Sequence, residues 1–196
     1  MKKLLHVTSS ARGAQSYSRR LSQAIVQKLM ERQDIDTVVE RDLVKTPPPY
    51  LDESLIGEFY KYVTDIQADD QVLTYANAAL GELKQADIIV LSTPMYNLGV
   101  SALLKAWIDQ LVRVGLTYRF NADGTRTGLL ADKTVYLAIA SGGRAAYMPD
   151  GYEFIESYIK AVFSTYLGIT DVYTYRVEGT AEKDCTVNYA AIIQGI

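Results

Sequence analysis

The chain has 196 residues, 48% of them apolar, and twenty basic against twenty-three acidic side chains leave a formal net charge of −3. A chain of this length buries roughly 70% of its unfolded surface as one domain. The mild acidity, with no stripe of Lys or Arg to neutralise phosphates, speaks against a nucleic-acid partner. One cysteine, Cys185, cannot form an internal disulfide, and with His6 as the sole histidine there is no Cys/His set for a metal.

Lys2-Lys3 before Leu4-Leu5-His6-Val7 imitates the start of a signal peptide, but the apolar patch is too short for one. No apolar run approaches the roughly 20 residues that cross a bilayer, so a cytoplasmic protein without a membrane partner is expected. Leu4 to Val7 reads as a first buried strand. Thr8-Ser9-Ser10-Ala11-Arg12-Gly13-Ala14-Gln15-Ser16 then supplies small and hydroxyl residues suited to capping a helix. That helix carries Leu21, Ala24, Ile25 and Leu29 on one face. A second strand, Asp36 to Leu43, mixes Val38-Val39 with Glu40, Arg41 and Asp42, as an edge strand does.

Pro47-Pro48-Pro49 ends this unit, and residues 44–70 read as an insertion with some helix. A helix is expected from about Asp70 to Lys84, burying Val72, Leu73, Ala76, Leu80 and Leu83. The third strand, Asp87 to Thr93, is apolar on both faces and therefore central. The helix from about Ser101 has one polar strip, Lys105, Asp109 and Arg113, in an otherwise apolar circumference around Trp107. Such a helix must be covered on more than one side, and a subunit interface is the favoured cover. Asp123-Gly124 between strand-like flanks signals a hairpin. A fourth strand, Thr134 to Ala140, precedes a helix from Tyr152 to Leu167 and an edge strand from Asp171 to Val177. Ala181 to Gln194 carries a weak helical pattern.

Strands alternating with helices specify an α/β domain, here one unit spanning residues 1–196, with a parallel sheet covered on both faces. Central strands one, three and four with edge strands two and five match the doubly wound, flavodoxin-like order 2-1-3-4-5. The loops at 8–18 and 93–98 then flank the switch point, and the loop at 140–144 leaves the next strand. Ser10, Ser16 and Ser18 at a helix start suit a phosphate. Pro94, Met95, Tyr96 and Asn97 form a wall with an aromatic face, and Gly142-Gly143 lets the backbone approach a flat ring. No glycine-rich dinucleotide or P-loop pattern is present. A phosphate tail on a flat ring system describes FMN.

Taken together, Ser9-Ser10 with Ser16-x-Ser18, Pro94-Met95-Tyr96-Asn97, Gly142-Gly143 and Gly168-Ile169-Thr170-Asp171-Val172 resemble the FMN-dependent NADH-azoreductases, flavodoxin-like NAD(P)H:quinone oxidoreductases. The resemblance covers nearly the whole chain. It implies a homodimer with one FMN per subunit, and two-electron reduction of quinones and azo compounds with NADH or NADPH as donor. It places the phosphate on Ser10, Ser16, Tyr17 and Ser18, and the ring against Met95, Tyr96, Asn97 and Leu98. Ala140, Ser141, Gly142 and Gly143 fall at the pyrimidine end, and Phe120 and Phe163 at the substrate side. Leu98 stands where an aromatic residue is frequent, Tyr17 where glutamine is common and Ser141 where arginine is common; these departures bear on substrate and on nicotinamide preference.

The chemistry would then belong to the cofactor, hydride passing to flavin N5 in a ping-pong cycle, with no catalytic acid or base among the side chains. A flavodoxin-type electron carrier is the alternative. A phosphate-ester hydrolase on the same scaffold would need a Cys or Asp nucleophile in residues 8–18, and that loop holds neither.

Overall fold

The computed structural model describes residues 1–32, 35–61, 71–147, 149 and 154–196. In chain order the elements are β1 (Lys2–Thr8), α1 (Tyr17–Arg32), β2 (Ile35–Asp42), α2 (Glu53–Phe59), α3 (Thr74–Gln85), β3 (Ile88–Pro94), α4 (Ala102–Leu111), β4 (Tyr118–Phe120), β5 (Arg126–Gly128), β6 (Thr134–Ala140), α5 (Ile155–Val162), β7 (Asp171–Val177) and α6 (Tyr189–Ile192). Five of the strands form one parallel sheet in the order β2-β1-β3-β6-β7, while β4 and β5 make a separate antiparallel hairpin. With β6 and β7 as the fourth and fifth sheet strands, this is the doubly wound order expected from the burial pattern.

Period-two alternation in the strands decides which layer each side chain joins. Leu4, Val90 and Ala138 pack with Leu21, Ile25 and Leu29 of α1 on one face. Leu5, Val7, Leu91 and Leu137 pack on the other face with Leu80 and Leu83 of α3, Trp107 of α4 and Ile159 of α5. All seven residues of β3 are buried, which is why its run Ile88 to Leu91 is apolar without alternation. The strand register aligns Thr8 with Ser92 and Pro94 with Ala140, so β1, β3 and β6 end at one level and their loops leave side by side.

Several local expectations need correction. Helix α3 starts at Thr74, and Val72, placed in the buried stripe, is 46% exposed; Asp70 lies outside the described residues. Arg113, read as the end of a polar strip, is 2% exposed. It lies beyond α4, its Nη1 donates to Asn77 Oδ1 at 2.6 Å, and its guanidinium stands over the Phe59 ring. The periodicity was extended past the end of the helix, where i, i+4 spacing no longer keeps residues on one face. Trp107 is wholly buried in the core of its own chain rather than at a surface. Part of the 44–70 insertion lies against α4: Gln110 Nε2 donates to Pro49 O at 2.8 Å, and Leu55 of α2 is buried. Asp52 caps α2 through Leu55 N–H, and residues 62–70 lie outside the described set.

The helix expected from Tyr152 to Leu167 is α5 followed by a wide π-type turn over Phe163–Leu167, which stops at Gly168 with φ 80°; Tyr152 lies outside the described residues. There Gly128 of the hairpin meets Gly168: a Cβ on Gly128 would sit 2.0 Å from Gly168 N. Only glycine allows this backbone-to-backbone approach. Near the C-terminus only Tyr189–Ile192 is helical, capped by Asn188, so the helical reading of 181–188 does not hold.

Candidate functional site

At the carboxyl ends of β1, β3, β6 and β7, a cleft of about 270 Å³ opens between the loops. Open α/β sheets bind ligands at this position, because strand order reverses there and the loops diverge. A larger cavity of about 440 Å³ lies elsewhere, bordered by Ile56, Lys105, Tyr118 and Tyr158. Position rather than size makes the smaller cleft the candidate site.

The first wall is the start of α1. Ser16 caps the helix, its Oγ accepting from Arg19 N–H at 3.2 Å, and its hydroxyl also lies 3.2 Å from Ser18 Oγ. Ser10, Ser16 and Ser18 are all buried yet line the cleft. The first-turn N–H groups of Tyr17 and Ser18 have no intrahelical acceptor by construction, and α1 carries no acidic residue in its first turn. These hydroxyls, N–H groups and the positive end of the helix dipole are of a kind that can hold an anion. Beneath it, Thr8 Oγ1 and Ser92 Oγ, neighbours in register, are buried and have no partner among the described residues. They are two further polar groups at the foot of the cleft walls.

The second wall follows β3. Met95 N–H donates to Ala140 O at 2.7 Å, locking this loop to the end of β6. Tyr96 and Gly99 then exchange backbone hydrogen bonds at 3.1 and 3.0 Å around Asn97 (φ 50°) and Leu98 (φ 67°). Both central residues have positive φ, as in a type I′ turn, a conformation that glycine usually fills. Two non-glycine residues there place a strain of about 1 kcal/mol or more each in this loop. Thr93 Oγ1 accepts Ser101 N–H at 3.3 Å and Ser101 caps α4, so the loop is pinned at both ends. Tyr96 remains 46% exposed with its ring at the cleft.

The third wall is residues 140–143. Gly142 lines the cleft, and a Cβ there would come within 3.4 Å of Ala181 Cβ. Ser141 is buried and donates its hydroxyl to Gly143 O at 2.7 Å, shaping the turn from within. A fourth wall, absent from the sequence reading, follows β7. Thr180 and Ala181 line the cleft, their N–H groups donating to Ser141 O and Gly142 O. Outside them, Arg144 pairs bidentately with Glu182 at 2.6 Å, and that carboxylate raises the guanidinium's already high pKa.

Of the residues expected at the site, Ser10, Ser16, Tyr17, Ser18, Pro94, Met95, Tyr96, Ala140 and Gly142 line one cleft. Asn97 and Leu98 form the tip of the second wall, and Ser141 and Gly143 build the turn behind Gly142. Phe120 and Phe163 do not line it. Phe120 lies on the hairpin, 55% exposed, and Phe163 is buried in the core in line with Ile155 and Ile159 of α5. Arg12, Thr180 and Ala181 were missed. The last two had a signal, since a parallel sheet sends the exit of every strand to the same end.

The donor set fits FMN: buried hydroxyls and N–H groups for a phosphate, Tyr96 and Met95 for a ring face, and a glycine where the backbone must come close. On its other side, Tyr96 borders an apolar depression of about 570 Å³ with Asn97, Val100, Phe154 and Tyr158. Burial, then the charge of Asp109, pushes the Tyr158 phenol up to about 12. Among the described residues no group of three or more His, Cys, Asp or Glu is placed to hold a metal, and no helix is long and apolar enough to cross a membrane.

Comparison with known proteins agrees with this geometry. Residues 2–193 match a family model described as the flavodoxin-like fold. An "FMN-dependent NADH:quinone oxidoreductase" of Herminiimonas arsenicoxydans is 37% identical over 194 residues, covering 97% of this chain and 93% of its own length. One of the same name from Aromatoleum aromaticum is 38% identical, covering 91% and 88%. The crystal structure of an azoreductase from Bacillus anthracis superposes with a TM-score of 0.79 at 30% identity, covering 92% of this chain and 88% of that one.

Proposed function

The chain belongs to the flavodoxin-like-fold family, and from that premise we propose that it is an FMN-dependent NADH:quinone oxidoreductase that also cleaves azo compounds reductively. The observation carrying this reading is the convergence, at the switch point of the sheet, of a buried serine cluster, an aromatic strand-end loop and a glycine turn on one cleft. The named relatives supply the class of reaction. Bound FMN supplies acceptance and donation of a hydride; the protein supplies binding, orientation and electrostatics.

In this reading Ser10, Ser16 and Ser18 with the N–H groups of Tyr17 and Ser18 hold the phosphate. Pro94 to Leu98 form the ring wall, the strained turn fixing the height of Tyr96 and Asn97. Ala140 to Gly143 meet the polar end of the ring, where backbone N–H groups of the glycine turn stabilise negative charge. The apolar depression beside Tyr96 and Asn97 admits the nicotinamide and then the quinone, in turn. Residues 1–196 act as one FMN-binding domain in the cytoplasm.

A homodimer belongs to the same reading. The exposed Phe120 ring, packed edge-on to Tyr118 and beneath Arg126, serves the substrate side from the hairpin of a second copy. Phe163, being core, supports the wall only indirectly. Names of the relatives weigh against the electron-carrier alternative, and a reductive titration separates the two: a carrier accumulates a stable one-electron-reduced form, whereas a two-electron reductase passes directly to full reduction. Extraction of FMN from the purified protein, with NADH oxidation dependent on added benzoquinone, tests the proposal; protein that purifies without flavin and cannot bind it refutes it.

A further inference from the structure

We propose that Arg12 is the residue by which the cleft selects a phosphorylated flavin over the same ring and ribityl chain without a phosphate; this rests on the FMN reading above. Arg12 is the only charged side chain among those lining the cleft. Three arginines surround the first turn of α1, and two of them are committed. Arg19 Nη2 donates to Asp42 Oδ2 at 2.9 Å, and Arg20 Nε donates to Ala14 O at 3.0 Å. The Arg12 guanidinium has no carboxylate partner among the described residues. It rests over the ring of Tyr17, first residue of α1, at 5.8 Å, while the backbone N–H of Arg12 donates to Ser10 Oγ at 3.4 Å.

This places a cation without a carboxylate partner beside the positive end of a helix dipole, a like-sign arrangement that a bound anion relieves. It does so in a chain with a net charge of −3 and on a helix with no acidic residue in its first turn. A phosphate monoester, with a second pKa of about 6, is largely dianionic at pH 7. The serines answer its hydrogen-bonding needs but carry no charge, and a guanidinium matches two phosphate oxygens at once. Arg12 is exposed, so the side chain has room to turn from Tyr17 towards the serine cluster and its replacement spares the core.

The test is a pair of fluorescence-quenching titrations, with FMN and with riboflavin, on the full chain stripped of flavin, in wild type, Arg12→Ala and Arg12→Lys. Arg12→Ala is expected to weaken FMN binding by roughly tenfold or more, the scale of a charge-assisted contact, while changing riboflavin binding less than about twofold. Arg12→Lys should restore part of the FMN affinity, and Arg12→Ala should flatten the salt dependence of FMN binding. An unchanged ratio of FMN to riboflavin affinity in Arg12→Ala overturns the proposal, as does equal weakening of both flavins, which would make Arg12 a shaper of the loop. Wild-type protein that takes up neither flavin overturns the FMN reading on which it stands.

Discussion

Replacing Ser16 by alanine separates two jobs that its hydroxyl can do. As the N-cap of α1 it accepts Arg19 N–H, and the loss of such a cap costs about 1 kcal/mol. Its hydroxyl is also the partner of the fully buried Ser18 Oγ, so removal leaves a polar atom short of a bond and adds roughly 1 kcal/mol. The flavin-free protein should therefore lose about 2 kcal/mol of stability whether or not a phosphate ever binds. If Ser16 also holds the phosphate, a hydrogen bond to a charged group worth about 1.5–3 kcal/mol disappears, weakening FMN roughly tenfold or more. Urea denaturation with and without FMN reads both numbers, because the ligand stabilises the fold by RT ln(1 + [L]/Kd). At saturating FMN the stabilisation by ligand should fall by about 1.4 kcal/mol for each tenfold loss of affinity. If FMN stabilises Ser16→Ala as much as it stabilises wild type, Ser16 is a cap and nothing more, and the phosphate assignment is wrong.

Other perturbations probe the supports of the cleft. Gly128→Ala forces the hairpin off Gly168 and should cost about 3 kcal/mol, lowering the melting temperature by roughly 6–12 °C. Leu98→Val puts a β-branched side chain at φ 67°, and the added strain of about 1–2 kcal/mol should lower the melting temperature of the flavin-free protein by roughly 2–8 °C. Burial raises the pKa of the Asp42 carboxyl, but Val44 N–H and Arg19 outweigh it and hold the group below its ordinary value. A depressed folded-state pKa contributes stability present above about pH 4, where the unfolded group ionises, and lost as pH falls through the folded value. Asp42→Asn should therefore flatten the acid limb of a stability–pH profile below about pH 4; an unaltered limb would contradict the Arg19–Asp42 pairing.

The sheet was legible because burial differs so sharply between strands. The run Ile88 to Leu91 must be central, the charged Glu40-Arg41-Asp42 segment must be an edge, and those two facts nearly determine the order. Once the order is known, the loops after Thr8, Pro94 and Ala140 have to meet. What resisted reading is tertiary. Trp107 looked like interface because its cover, the core of its own chain, is assembled from strands and helices far apart in sequence. Arg113 looked solvated because arginine usually is; its burial depends on Asn77 and Phe59, far away in sequence. Phe163 lies on the buried stripe of its helix with Ile155 and Ile159, at i, i+4 and i+8, and that spacing puts it in the core rather than at the cleft. Leu98 in left-handed conformation was equally silent; Asn97 beside it is a residue type that tolerates positive φ.

Anaerobic mixing of the purified protein with NADH, followed in the visible absorption of its flavin, tests the central claim most directly. The account predicts that one equivalent of NADH bleaches the bound FMN without a stable one-electron stage, and that a quinone restores the colour. A flavin that stays oxidised in NADH yet bleaches with dithionite would contradict it, as would a protein that binds no flavin at all.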